Sequence, residues 1–333
     1  MDALLLVVSF AVVLAGALLF TNGVEWIGHK LAVGEGAVGS ILAAVGTAMP
    51  ETLIAIVALV GAQEGSTDVA IGAIVGAPFL LGTLAMGLVG LFAYLYRNKR
   101  ATGVELNAHR ETLERDLLFF LALFALGGLL AWGPPAEVRI PVGIVFIVAY
   151  GLYIAMTLRG GGEVQDEETL NPLIFERRPE FREDPGFVLC LIQLLVGLGA
   201  MVGGAHLFVE ELLHIAEDIG VDALVLALIL APLATELPEK VNSFFWVREG
   251  KDALALGNIT GAMVFQSMIP VGIGLIFTDW DLTWTAVLSI GLGLAGGVLA
   301  YESLHVAGRF KLPAVIGWFV LYASFIVAVV VSA

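Results

Sequence analysis

Five stretches of the chain, 3–24, 117–136, 140–158, 186–209 and 312–333, carry no charged side chain. Each is close to the run of about 20 apolar residues that an α-helix needs to cross a hydrocarbon core of roughly 30 Å. Between them lie further apolar runs broken by glycine, proline and isolated charges. The whole pattern predicts helices near 3–24, 36–61, 69–96, 117–136, 140–158, 186–209, 221–247, 253–278, 282–301 and 312–332. This describes an all-α integral membrane protein with ten transmembrane helices. Met1-Asp2 opens the chain without a basic segment, so the first run is expected to be a retained helix and not a cleaved signal.

The polar positions between the runs alternate in charge. Lys30, the group Arg97, Lys99, Arg100, Arg110 and Arg115, the group Arg159, Arg177, Arg178 and Arg182, the pair Arg248 and Lys251, and the pair Arg309 and Lys311 all follow odd-numbered runs. The intervening loops hold Glu64, Asp68, Glu217, Asp218, Asp222, Asp279 and Asp281, with Arg139 as their only basic residue. Basic loops stay in the cytoplasm, which places both termini outside. The longest polar stretch, 159–185, reads as a cytoplasmic linker. It divides the chain into 1–158, 159–185 and 186–333, two halves of five helices each.

Composition agrees with this pattern. Hydrophobic residues make up 59% and charged ones 14%, against about 45–50% and 25% in soluble domains. The net charge of −15, with five lysines, gives an acidic surface suited to high salt and excludes nucleic acid as a partner. The single cysteine, Cys190, sits in an apolar run and reads as a packing residue. No H-E-x-x-H or G-x-G-D occurs and the histidines are scattered, which argues against an intramembrane hydrolase.

One segment occurs twice. Gly46-Thr47-Ala48-Met49-Pro50-Glu51 lies in the second run, and Ala234-Thr235-Glu236-Leu237-Pro238-Glu239 in the seventh. Each is followed in the next run by spaced glycines, Gly72 and Gly76 in one copy and Gly257 and Gly261 in the other. Five runs separate the copies, so the second half enters the membrane inverted. Inverted repeats with broken helices near the midplane mark many secondary transporters. Proline opens the helix and frees backbone carbonyls for a cation. A carboxylate at membrane depth costs at least a few kcal/mol unless neutralised, and marks an ion or proton pathway. A non-transporting scaffold has no use for Glu51 or Glu239 there. Glycines four apart let helices approach closely. Glu236 has two readings: a third carboxylate ligand, or the partner of Lys240 one helical turn on.

These segments resemble the paired alpha-repeats of the cation/calcium exchanger superfamily, whose blocks read approximately G-T-S-x-P-E and G-N-x-x-G-S-N. Glu35 and Gly39 also fit the first repeat. The resemblance implies a ten-helix antiporter working by alternating access. It implies a cation site of Glu51, Glu239, Thr47 and Thr235, with Gln266 at a further polar position, Glu51 and Glu239 as carboxylate ligands, and Glu236 as a third where it is a ligand and not the partner of Lys240. Ala48, Glu236, Ala77 and Ala262 stand where the family has serine, and Leu81 where it has a polar residue. The expected cargo is calcium with sodium or protons, and no resident cofactor is implied. The expected partners are inorganic cations and the lipid bilayer. Proton-coupled antiport, with Glu51 or Glu239 alternately binding a proton and the ion, is the alternative.

Overall fold

The computed structural model describes residues 2–30, 43–61, 63–106, 108, 110–159, 171–178, 184–307 and 309–332. Its helices are α1 (Asp2–Lys30), α2 (Ala43–Val60), α3 (Ser66–Leu95), α4 (Arg110–Leu129) and α5 (Ala136–Arg159), then α6 (Phe187–Ile219), α7 (Ala223–Glu249), α8 (Asp252–Phe277), α9 (Trp284–Glu302) and α10 (Leu312–Ser332). No β-strand occurs among the described residues. Seven helical segments there are long and apolar enough to cross a bilayer, and shorter apolar helices cover Met49–Val60 and Ala223–Glu236. These two shorter stretches lie in the helices that carry the repeated motif.

Several helices extend beyond their apolar runs. The fourth was expected over 117–136, yet α4 begins at Arg110 and ends at Leu129. Its first turns, Arg110 to Asp116, are strong helix formers despite their charge, and Pro134-Pro135 with Gly133 at φ 70° stop it early. α6 runs ten residues past the expected end at 209 because Glu210 to Ile219 remains helix-forming. Gly220 then closes it at φ 68°, its N–H reaching back to the Ala216 and Glu217 carbonyls.

Burial is arranged as a membrane requires. α3 is buried almost throughout and α8 nearly so, while α1, α5, α6 and α10 expose most of their surface. Their exposed side chains are aliphatic, including Leu4, Leu18, Val145, Val188, Val320 and Val331. The interior instead holds Glu51, Glu236, Lys240, Gln266, Asp116 and Asp252. Cys190 is buried against Trp26 and Leu173, a packing role.

Close helix contacts follow from small residues. A Cβ on Gly72 would meet the Leu224 carbonyl at 2.5 Å, and one on Gly76 would meet that of Leu228 at 2.5 Å. α3 therefore lies backbone to backbone on α7. Gly16 and Gly197 do the same for α1 and α6, where the added atom would stand 2.8 Å from the facing carbonyl in each direction. Among the described residues nothing lies within 4 Å of a Cβ built on Gly257 or Gly261. The positions that correspond to Leu224 and Leu228 across the repeat are 36 and 40, outside the described residues.

Helix contacts occur in matched pairs. α3 packs on α7 and α2 on α8; α4 packs on α8 and α9 on α3; α5 packs on α8 and α10 on α3. α1 meets α6, and α4 meets α9. α3 contains a π-turn at Leu81–Ala85, where Thr83 Oγ1 donates to the Phe79 carbonyl at 2.6 Å. Before that turn α3 faces α7; after it Gly87 and Gly90 lie against Trp318 and Val315 of α10.

The connections gather into two groups. In one, Arg100 meets Asp252, Glu105 bridges Arg309, and Glu114 meets His305. In the other, Trp132 bridges Asp281 and Arg139 pairs with Asp279. α8 runs from the first group to the second. The described part of the 159–185 linker is docked: the Asn171 carbonyl accepts from Asn22 and Trp26 of α1, and the Phe175 N–H donates to Gln193 of α6 at 2.8 Å.

Candidate cation site

Pro50 and Glu51 lie inside α2, which packs against both α7 and α8. Pro50 supplies no N–H to the helical ladder, so the turn before it is open to other partners. Glu51 is only 2% exposed. Among the described residues, Glu236, Thr235 and Lys240 of α7 act on it electrostatically. Neither carboxylate oxygen of Glu51 has a hydrogen-bond partner among the described residues. The adjacent Thr235 hydroxyl donates instead to the Ala231 carbonyl at 2.8 Å, one turn back along α7.

Glu236 lies 3.3 Å from Lys240 through Oε2, an i,i+4 pair fully enclosed by protein. Its other oxygen, Oε1, accepts from Gln266 Nε2 of α8 at 3.0 Å. Gln266 Oε1 has no hydrogen-bond partner among the described residues. The Lys240 ammonium also donates to Asn258 Oδ1 of α8 at 3.1 Å, and Asn258 Nδ2 donates to Ser243 Oγ at 3.2 Å. The site is thus a seam of α2, α7 and α8, lined among the described residues by two carboxylates, two amides and one ammonium.

Of the residues expected from sequence, the structure brings Glu51, Thr235, Glu236 and Gln266 into this seam. The side chains of Thr47 and Glu239 lie outside the described residues. Asn258 and Ser243 join the seam through Lys240. Among the described residues no group of three or more Asp, Glu, His and Cys side chains converges as a metal site. What the seam offers a cation is a set of buried oxygens without a hydrogen-bond donor among the described residues: both of Glu51, Oε1 of Gln266 and Oε2 of Glu236. Hard oxygens of this kind suit sodium or calcium, and leaving them unsatisfied in the interior is costly.

Two buried polar clusters lie outside the motif. Asp116 Oδ1 accepts from Tyr153 at 2.9 Å and from Arg115 at 3.1 Å, and its Oδ2 accepts from Thr260 at 2.9 Å. This joins α4, α5 and α8 two residues after Asn258. Arg100 makes a two-pronged pair with Asp252, at 2.7 and 2.8 Å. It also donates to the carbonyls of Gly103 at 2.8 Å and Glu105 at 2.9 Å and to that of Val247.

A helical bundle with an aliphatic exterior and charges kept within is a multi-pass membrane protein built around an internal polar site. The chain belongs to the sodium/calcium exchanger protein family, which it matches over residues 1–159 and 189–331. This is the group that the repeated motif resembles. Among curated proteins it is similar to the putative antiporter CaxA of Alkalimonas amylolytica, 27% identical over 134 residues. That match covers 40% of this chain and 41% of CaxA. Among solved structures it resembles the H+/Ca2+ exchanger CAX, with a TM-score of 0.70, 20% identity, and coverage of 98% of this chain and 81% of that one. It also resembles the sodium-calcium exchanger NCX_Mj, with a TM-score of 0.61, 20% identity, and coverage of 98% and 99%. The family and these neighbours are ion exchangers, not enzymes.

Proposed function

We propose that this protein is a secondary active cation antiporter, most closely of the sodium/calcium exchange type, with cargo held between α2 and α7. The observation that carries this reading is the buried Glu51 carboxylate, neither oxygen of which has a hydrogen-bond partner among the described residues. Such a group is stabilised by a cation, and a cation that can leave again is cargo. Glu51 and Glu239 occupy equivalent places in the repeat and form the essential pair. Thr47, Thr235 and Gln266 surround the cargo, and Glu236 borders it.

The reading includes ten membrane spans in two inverted five-helix repeats, 1–158 and 186–333, joined by the 159–185 linker. The matched helix contacts support it: exchanging each first-half helix for its second-half counterpart turns α3–α7, α4–α8 and α5–α8 into α2–α8, α9–α3 and α10–α3, and returns α1–α6 and α4–α9 to themselves. The two groups of connections support it as well, because each contains only loops that the alternation assigns to one side. Basic loops facing the cytoplasm then place both termini outside.

Proton-coupled antiport is the second reading. The alanines at 48, 77 and 262 favour it, because they leave fewer oxygens to coordinate sodium while a carboxylate alone suffices to carry a proton.

Radiolabelled calcium flux into proteoliposomes under imposed sodium and proton gradients tests both readings. Sodium-driven uptake that collapses with a sodium ionophore is expected. Uptake driven by protons alone selects the second reading, and no gradient-driven movement of any cation overturns both. Single cysteines at 98 and 249, in a chain with Cys190 replaced, should react only with membrane-permeant thiol reagents in cells. Labelling of either by an impermeant reagent from outside refutes the orientation.

A further inference from the structure

The ammonium of Lys240 is placed where a carrier of cations would be expected to keep only acceptors. It is fully buried. Its contacts include two oxygens, Glu236 Oε2 at 3.3 Å and Asn258 Oδ1 at 3.1 Å, the type of ligand a hard metal ion takes. Glu51, with its unsatisfied carboxylate, is a charged neighbour of the same group. We propose that Lys240 is a tethered cation occupying part of the transport site, and that its charge sets the balance between monovalent and divalent cargo.

The geometry distinguishes this from an ion pair kept for stability. A stabilising buried pair is close and saturated, with N–H···O distances near 2.7–2.9 Å. The Arg100–Asp252 pair in the same protein has that form, with both carboxylate oxygens engaged at 2.7 and 2.8 Å. Glu236 instead gives one oxygen to Gln266 and meets Lys240 with the other at 3.3 Å, leaving that oxygen without a directed hydrogen bond. The pair is loose at Oε2, so Glu236 retains capacity for a second cation, and the ammonium and the cargo compete for it.

The consequence for selectivity follows from Coulomb's law. A fixed positive charge repels a divalent ion twice as strongly as a monovalent one at the same place. Removing the charge must therefore tighten both, and tighten the divalent ion by the square of the monovalent factor. The inference rests on the antiport reading above and specifies how that site discriminates.

The test is equilibrium binding of radiolabelled calcium and sodium to purified detergent-solubilised protein, with melting temperature recorded in parallel. Lys240→Gln keeps hydrogen-bonding capacity toward Glu236 and Asn258 and loses the charge. If calcium binding tightens by about tenfold, sodium binding tightens by about threefold, as charge scaling requires. Lys240→Arg keeps the charge and should retain the wild-type ratio of the two affinities. Should Lys240→Gln fail to fold, Glu236→Gln/Lys240→Met compared with Glu236→Gln isolates the ammonium without leaving a carboxylate unpaired, and the same two-to-one relation of the logarithms is expected. Equal shifts for both ions, or unchanged affinities in a folded variant with only a lower melting temperature, reduce Lys240 to a structural residue and overturn the proposal. A wild-type protein that binds neither ion and drives no flux defeats the antiport reading itself. A wild-type protein that binds and exchanges, while the variants keep its ratio, defeats only the role of Lys240.

Discussion

Glu51→Gln is expected to abolish cation exchange while leaving a folded protein. Glutamine has the volume and shape of glutamate, so the packing of α2 on α7 and α8 is retained. The charge is lost, and so is one of two acceptor oxygens that have no hydrogen-bond partner among the described residues. In its place stands an amide donor beside Glu236. A buried carboxylate without partners is destabilising, so the variant should melt at or above the temperature of the wild type. Its flux in proteoliposomes should equal that of protein-free vesicles. Glu239→Gln, at the equivalent place in the second repeat, should lose flux equally. Wild-type flux in Glu51→Gln would show that cargo does not pass this carboxylate and would remove the proposed site.

The second large effect is on stability. Arg100 and Asp252 are both inaccessible to solvent and joined through two hydrogen bonds. The same guanidinium gathers the carbonyls of Gly103, Glu105 and Val247, fastening the α3–α4 connection to the turn between α7 and α8. Arg100→Met removes the guanidinium from the buried Asp252 carboxylate and from those carbonyls. Breaking a buried pair from one side costs about 3–5 kcal/mol, a large part of the stability of any protein. Arg100→Lys should recover less than half of the loss, since an ammonium cannot reproduce the planar fork. Thermal unfolding in detergent measures both. If Arg100→Met melts together with the wild type, the cluster is not what holds these loops.

Much of the architecture is legible in the sequence because hydrocarbon imposes simple rules. Uncharged runs of the right length become helices, and Glu51 in mid-run is recognisable as a buried charge, although the helix continues through Pro50 where the sequence suggests a break. The register of Glu236 and Lys240 also makes their pairing readable, since one helix fixes it. The remaining features depend on contacts between helices that no local pattern encodes. Arg100 reads as one of several basic loop residues, and only the approach of the α7–α8 turn makes it a buried clasp. Asp116 reads as the polar edge of an apolar run, and its bonds to Tyr153 and Thr260 require three helices to converge. Asn258 is suggestive in its G-N-x-x-G setting, but its bond to Lys240 joins residues on α7 and α8 whose relative rotation is set by packing. The boundaries of α4 and α6 were missed for a different reason: hydropathy measures the thickness of the lipid, and helix propensity continues beyond it.

The π-turn in α3 turns one extra residue into a change of direction. An α-helix advances 3.6 residues per turn, so a single inserted residue rotates everything after it by about 100°. Without that offset, the face carrying Gly72 and Gly76 and the face carrying Gly87 and Gly90 could not address α7 and α10 as they do. The length of this segment is therefore as constrained as its chemistry. Substituting Leu84 leaves the count of residues intact, whereas deleting it would turn Gly87 and Gly90 away from Trp318 and Val315 and present bulkier neighbours to α10. A survey of variants across 81–85 should consequently find single-residue deletions far more damaging than conservative replacements, a signature of phase and not of composition.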